Sequence, residues 1–196
     1  AVLIVLPALY FFFYEYDSET IHDRTIHSLF QSVTTRTAGF NTTDLAAMDE
    51  SGTAIMIILM LIGGSPGSTA GGMKTATFAV LFLSAITVLR RRNDVQCFKR
   101  RISDEAVRSA GAVLFMYLVL FFTSGIIISR VENLPLLTCL FETSSAIGTV
   151  GLTLGITSDL SAVSRVILMI LMFFGRVGGL TLIYAALPSA DSQNSR

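Results

Sequence analysis

Two glycine-centred stretches, Thr37-Ala38-Gly39-Phe40-Asn41 and Thr149-Val150-Gly151-Leu152-Thr153, occupy matching contexts in this chain. Each follows a short semi-polar segment with helical spacing and precedes a long apolar one. Just upstream, Phe30-Gln31-Ser32-Val33-Thr34 corresponds to Phe141-Glu142-Thr143-Ser144-Ser145. A unit repeated in this way cannot enclose anything alone and completes its interior with its copies. Glycine at the centre of each stretch opens backbone regions closed to side chains, which lets peptide carbonyls turn toward a common point.

The surroundings are apolar. Of the 196 residues, 52% are hydrophobic and 14% charged, against roughly 25% charged in soluble domains. With apolar runs of spanning length, this composition predicts an all-α integral membrane protein. Net charge is zero, so nothing draws the chain to nucleic acid. Arg90, Arg91, Arg92, Lys99, Arg100, Arg101 and Arg108 place half of the 14 basic residues in one connection, the mark of a cytoplasmic loop. Cys97 and Cys139 fall at different depths, so neither a disulfide nor a metal site is expected. The chain starts inside an apolar run and reads as a fragment, not as a signal peptide.

Taken in order, residues 1–92 form one unit. Its first helix, Ala1 to Tyr14, covers only about 21 Å and reads as truncated. Glu15, Asp17, Glu19 and Asp23 form an acidic outer connection. A helix too short to cross is predicted at 25–35, followed by a turn at 36–41; such re-entrant backbone survives at membrane depth only inside protein or beside water. His27 has no second ligand at metal spacing and reads as a packed side chain. Thr53 to Leu89 is apolar at both ends but would run roughly 55 Å as one helix. Gly63, Gly64, Ser65, Pro66, Gly67, Ser68, Thr69, Ala70, Gly71 and Gly72 therefore break it, and broken helices mark binding or gating sites in transport proteins.

A basic loop at 93–106 leads to the second unit, 107–187: a spanning helix at 107–129, a short helix at 134–147, a turn at 148–153 and a last span at 163–187. Arg176 lies mid-span, roughly 16 to 20 Å from either end, which makes it a functional candidate; an ion pair with Glu142 is the plainer reading. The tail at 188–196 is polar and expected to be disordered.

Two other classes fit the sequence less well. Gly67, Gly72, Lys74 and Thr75 approach a nucleotide-binding loop and would suit a membrane NTPase. Met73 intervenes where Lys is needed, and the flanks are apolar. A purely structural subunit, with glycines only for close helix packing, leaves both short helices and Arg176 unexplained.

Four stretches carry a resemblance: Thr34 to Asn41, Gly63 to Thr75, Gly148 to Thr153, and Gly175-Arg176-Val177-Gly178. Through them the chain resembles the C-terminal half of the Trk/Ktr/HKT potassium-transporter superfamily, most nearly its bacterial Ktr-type membrane subunit. Thr149-Val150-Gly151 also repeats the opening of the TVGYG loop of potassium channels, whose carbonyls replace the ion's water. The resemblance implies the third and fourth of four helix–pore helix–filter–helix repeats, half of a pseudo-fourfold cation pore. It implies a filter at Thr35, Arg36, Thr37, Ala38, Gly39, Gly148, Thr149, Val150 and Gly151, with K+ held by carbonyls of Thr37, Ala38, Thr149 and Val150. The gate would comprise Gly63, Gly64, Ser65, Gly67, Ser68, Thr69, Gly71, Gly72, Lys74 and Arg176. Gly179 stands where many relatives carry Pro. The resemblance further implies a bacterial plasma membrane location, lipid contact, a homodimer, missing N-terminal repeats and a cytosolic nucleotide-binding regulatory subunit. No covalent cofactor and no enzymatic activity are implied; K+ is the substrate, and a sodium-permeable or Na+-coupled symport relative is the alternative.

Overall fold

The computed structural model describes residues 2–17, 20–65, 67–68, 70–91, 95–97 and 100–177. Glu19, Thr69, Arg92, Lys99, the 178–187 end of the expected last span and the 188–196 tail lie outside the described residues. Among the described residues seven α-helices carry the fold. Helix α1, Val2–Tyr10, continues into a wider π turn at Phe11–Glu15, and α2 is Ile21–Thr34. A 3-10 turn at Leu45–Ala47 precedes α3, Glu50–Leu61, and α4, Thr75–Leu89. Then come α5, Asp104–Glu132, α6, Leu136–Gly148, and α7, Ala162–Val177.

Capping chemistry sets the boundaries that differ from the pattern of apolar residues. Helix α2 begins four residues before position 25 because Thr20 caps it. The Thr20 hydroxyl accepts from the Asp23 amide at 3.4 Å and donates to the Asp23 carboxylate at 2.6 Å. Asp23, read from sequence as part of an acidic connection, instead sits in the first helical turn, where a negative charge is favoured. Ser103 likewise accepts from the Ala106 amide at 3.3 Å, starting α5 at Asp104 and not at 107. Helix α5 stops where Asn133 turns left-handed at φ 54°. Its 29 residues reach roughly 43 Å. Among the described residues it is the one helix long and apolar enough to cross a bilayer by itself.

The all-α expectation has one small exception. Within the basic loop, β1 at Gln96–Cys97 pairs antiparallel with β2 at Arg100–Arg101.

Helix α6 is the centre of the packing, against α3, α5 and α7. Cys139, Phe141, Thr143, Ser144 and Ile147 are fully buried along it. A helix with this many hydroxyls tolerates burial because they are satisfied locally: Thr143 donates to the Leu140 carbonyl at 3.1 Å and Ser144 to the Phe141 carbonyl at 2.8 Å. Phe11, Met56, Met60, Phe121 and Val150 surround Phe141 on one side; Val113, Ile128, Leu168 and Leu171 surround Ile147 on the other.

Helix α2 is turned the opposite way to a soluble helix. Ser28, Gln31, Ser32 and Thr34 are buried, with Ser32 donating to the Ile4 carbonyl at 2.7 Å. Ile26, Leu29 and Val33 face outward, each nearly half exposed.

Phe141→Ala empties a fully enclosed site and should cost about 3–5 kcal/mol. Val33→Ala, on the outward face, should cost far less. Thermal unfolding of detergent-solubilised protein checks this: the Phe141→Ala midpoint drops well below that of Val33→Ala. Equal midpoints would contradict the central place given to α6.

Candidate functional site

The two glycine-centred loops meet. A Cβ built on Gly39 would lie 2.1 Å from the Val150 carbonyl oxygen and 3.7 Å from the Gly151 Cα. No side chain fits there, and Gly39 also has φ +74°, so the position is closed to other residues twice over. The loops share one backbone course. Thr37 and Gly39 have φ 67° and 74°; Thr149 and Gly151 have φ 51° and 95°. Glycine at 39 and 151 matches the backbone freedom that the sequence pattern predicts there; the threonines carry no such signal. Left-handed threonines cost energy and persist only where their surroundings impose them.

Each loop is hung from the last turn of its short helix. In the first, the amides of Ala38 and Gly39 both donate to the Thr34 carbonyl, at 3.1 and 3.2 Å. The Thr34 hydroxyl donates to the Phe40 carbonyl at 2.6 Å. In the second, the Val150 amide donates to the Ser145 carbonyl at 2.9 Å, and the Gly151 amide to the Ser145 hydroxyl at 3.1 Å. Thr34 and Ser145 are the last members of the two corresponding five-residue stretches. The repeat therefore contained the signal, although neither was singled out. Thr35 is buried and donates to the Ser32 carbonyl at 3.0 Å. Gly148 ends α6 beneath the second loop, where a Cβ would lie 2.6 Å from the Met60 carbonyl.

These bonds consume amides and leave carbonyls. No backbone amide among the described residues donates to the carbonyls of Thr37, Ala38, Thr149 or Val150. Backbone carbonyls without amide partners seek another donor or a cation. Among the described residues no group of three or more His, Cys, Asp or Glu side chains stands ready to hold a metal, so oxygen from the main chain is the ligand chemistry on offer.

The glycine-rich segment sits against the second loop. It is pinched at its neck: the Gly63 amide donates to the Met73 carbonyl at 2.8 Å, Met73 to Leu61 at 3.3 Å, and Thr75 to Gly64 at 3.1 Å. Helix α3 ends at Leu61 and α4 starts at Thr75, on either side of the 63–72 stretch. The Gly71 amide donates to the Thr149 hydroxyl at 3.0 Å, and a Cβ on Gly71 would lie 2.2 Å from that same oxygen. Gly72 packs beside Gly148, and Gly64 beside Ala70 and Ser68. Ser65 and Ser68 close a turn, Ser68 donating amide and hydroxyl to the Ser65 carbonyl at 3.1 and 2.7 Å around Gly67 at φ +81°.

Two cations brace the segment. Arg36 donates to the Gly63 carbonyl at 3.3 Å, so it serves the glycine-rich segment from the first loop. The Lys74 ammonium donates to the Ser68 and Ala70 carbonyls at 2.9 and 2.5 Å. A phosphate-binding lysine points its ammonium at the ligand; this one points into its own loop. Arg176 is exposed on α7, at the level of the α6 C-terminus, because a Cβ on neighbouring Gly175 would lie 2.0 Å from the Ile147 carbonyl. Glu142, weighed from sequence as its ion-pair partner, gives its carboxylate to Thr153, Leu154 and Thr157.

Comparison with known proteins places the chain in a family. The profile of the TrkH family, described as cation transport protein, matches residues 2–195. The chain belongs to the TrkH family. Relatives of this TrkH-family chain include Ktr system potassium uptake protein D of Bacillus subtilis, 41% identical over 83% of the chain and 36% of that relative. Ktr system potassium uptake protein B of the same organism is 39% identical over 84% and 37%. Potassium/sodium uptake protein NtpJ of Enterococcus hirae is 36% identical over 88% and 39%. The crystal structure of the potassium transporter TrkH from Vibrio parahaemolyticus superposes with a TM-score of 0.82 at 23% identity, covering 95% of this chain and 42% of that one, and so shares its fold. The chain spans well under half the length of each of these proteins.

The contact between loop and segment is directly testable. Thr149→Val keeps the shape but removes the acceptor for the Gly71 amide, a loss of about 1–3 kcal/mol. Hydrogen exchange of peptides covering 63–74 should speed up by roughly tenfold or more. Unchanged exchange would mean that the hydroxyl does not hold the segment.

Proposed function

We propose that this chain is the pore-forming C-terminal half of a potassium uptake transporter in a bacterial plasma membrane, contributing two of four pore repeats. The observation that carries the reading is the meeting of Gly39 with the Val150 carbonyl. Dehydrated K+ would lie against the carbonyls of Thr37, Ala38, Thr149 and Val150, with Thr35 and Gly148 contributing deeper oxygens. The two absent repeats would complete the ring. Helix α6 is then one pore helix and α2 another. The outward apolar face of α2 suits contact with lipid or with those absent repeats.

The 63–72 segment acts as the gate. It sits directly on Thr149, it is rich in glycine, and Lys74 and Arg36 hold its carbonyls. Arg176 supplies an electrostatic barrier or an anchor at the same depth. Family membership supports the cation-transport reading over an enzymatic one, and the inward-turned Lys74 weighs against nucleotide binding. A homodimer and a cytosolic nucleotide-binding regulatory subunit belong to the same proposal. NtpJ's name, which couples potassium with sodium, favours a sodium-permeable or Na+-coupled relative as the second reading.

Gly151 is the better filter probe, since a Cβ there meets nothing within 4 Å whereas φ is +95°. Gly151→Ser should lower the K+/Na+ uptake ratio by about tenfold, equivalent to about 1.4 kcal/mol, when competing uptake is measured in potassium-starved cells. A parent-like ratio would defeat the filter assignment, and a parent protein preferring Na+ would favour the second reading. Shortening the 63–72 segment should raise K+ flux at equal membrane abundance; lower or unchanged flux argues against a gate.

A further inference from the structure

Beyond Gly151, Glu142 ties the second loop back onto α6. Glu142 projects from α6 with 4% of its surface exposed. One carboxylate oxygen accepts from the Thr153 hydroxyl at 2.5 Å and from the Leu154 amide at 3.0 Å. The other accepts from the Thr157 hydroxyl at 2.7 Å. Thr153 in turn accepts from the Gly155 amide at 2.9 Å. Residues 153–157 are thus tied back onto the helix that precedes the loop, and the ends of the loop cannot move apart independently.

Burying a carboxylate is costly unless its lone pairs are filled, and charge-assisted bonds are about twice as strong as neutral ones. Three such bonds make this a stiff connection. The repeat shows what it adds. Gln31 stands at the corresponding place in α2 and is fully buried, but its amide nitrogen donates to the Met56 sulfur at 3.1 Å and its oxygen has no hydrogen-bond partner among the described residues. After the first loop, the tie is instead between Thr43 and the Tyr16 hydroxyl, at 3.2 Å. The two loops are braced unequally.

We propose that Glu142 is a positioning residue for ion discrimination: it fixes 153–157 and so keeps the Val150 and Gly151 carbonyls from following a smaller cation inward. This rests on the filter reading above. A buried negative charge could alternatively act on cations through its field, and the two modes separate by substitution. Glutamine retains the shape. Its oxygen accepts from Thr153 and Leu154, and its nitrogen donates to a Thr157 hydroxyl that has turned to accept. Leucine retains the volume and loses all three bonds.

The test measures competing Rb+ and Na+ uptake, at matched membrane abundance, by the complete transporter carrying this segment as parent, Glu142→Gln, Glu142→Leu and Gly151→Ser. Glu142→Gln should keep the Rb+/Na+ ratio within about threefold of the parent, and Glu142→Leu should lower it about tenfold. The leucine variant should also raise KM for Rb+ more than it lowers the maximal rate. A parent-like ratio in Glu142→Leu overturns the proposal. So does a glutamine variant as impaired as the leucine one, which would assign the effect to charge. If Glu142→Leu does not reach the membrane, the Thr153→Val, Thr157→Val double variant replaces it, with the same expected loss and the same overturning result. Gly151→Ser separates the two layers of argument. Its loss of selectivity beside an intact Glu142→Leu rejects the brace alone, whereas an intact Gly151→Ser rejects the filter.

Discussion

Main chain against main chain is the constraint on which this structure depends. The space between Gly39 and the Val150 carbonyl admits no side chain, and the same is true between Gly175 and the Ile147 carbonyl, and between Gly148 and the Met60 carbonyl. All three contacts converge on the C-terminal turn of α6 and the loop it carries. Helices α3 and α7 and the first loop reach that turn because glycine lets them. In the membrane setting proposed above, lipid is as apolar as a leucine side chain, so close van der Waals approach of this kind is what drives helices together.

Such a centre has consequences for chemistry. An α6 surrounded on all sides would bury its Thr and Ser hydroxyls at a cost, which their bonds to carbonyls one turn back offset. Ser145 is the exception: both its hydroxyl and its carbonyl accept amides of the loop, as Thr34 does with its carbonyl in the first unit. Amides are thereby directed back toward the helix, and the loop carbonyls remain for something else. The glycine-rich segment then closes on Thr149 through one amide, so that the conformations of loop and segment are linked.

How much of this was legible in the sequence varies with the range of the interaction. The break between α3 and α4 was, because the length of Thr53–Leu89 exceeds any bilayer and its glycines say where it fails. The correspondence of Phe30–Thr34 with Phe141–Ser145 marked the two short helices. The start of α2 was obscured by acidic residues that read as a connection, although Thr20 and Asp23 form a local cap. The left-handed Thr37 and Thr149 were invisible, since nothing in a threonine announces positive φ; distant contacts impose it. Arg36, which the resemblance places in a filter, also donates to the Gly63 carbonyl, and the Glu142 carboxylate, weighed from sequence as a counter-ion for Arg176, accepts from Thr153 and Thr157. Sequence pattern marks where the backbone turns; which carbonyl or hydroxyl then receives a given side chain depends on how segments 11 to 27 positions away fold back.

The central claim is that the paired loops offer carbonyl oxygen to a monovalent cation. Crystals of the complete transporter grown with thallium, a heavy stand-in for potassium, test it most directly through anomalous scattering. The account predicts a strong peak between the carbonyls of Thr37–Ala38 and those of Thr149–Val150. Thallium peaks found elsewhere along the chain, with none between these two loops, would contradict it.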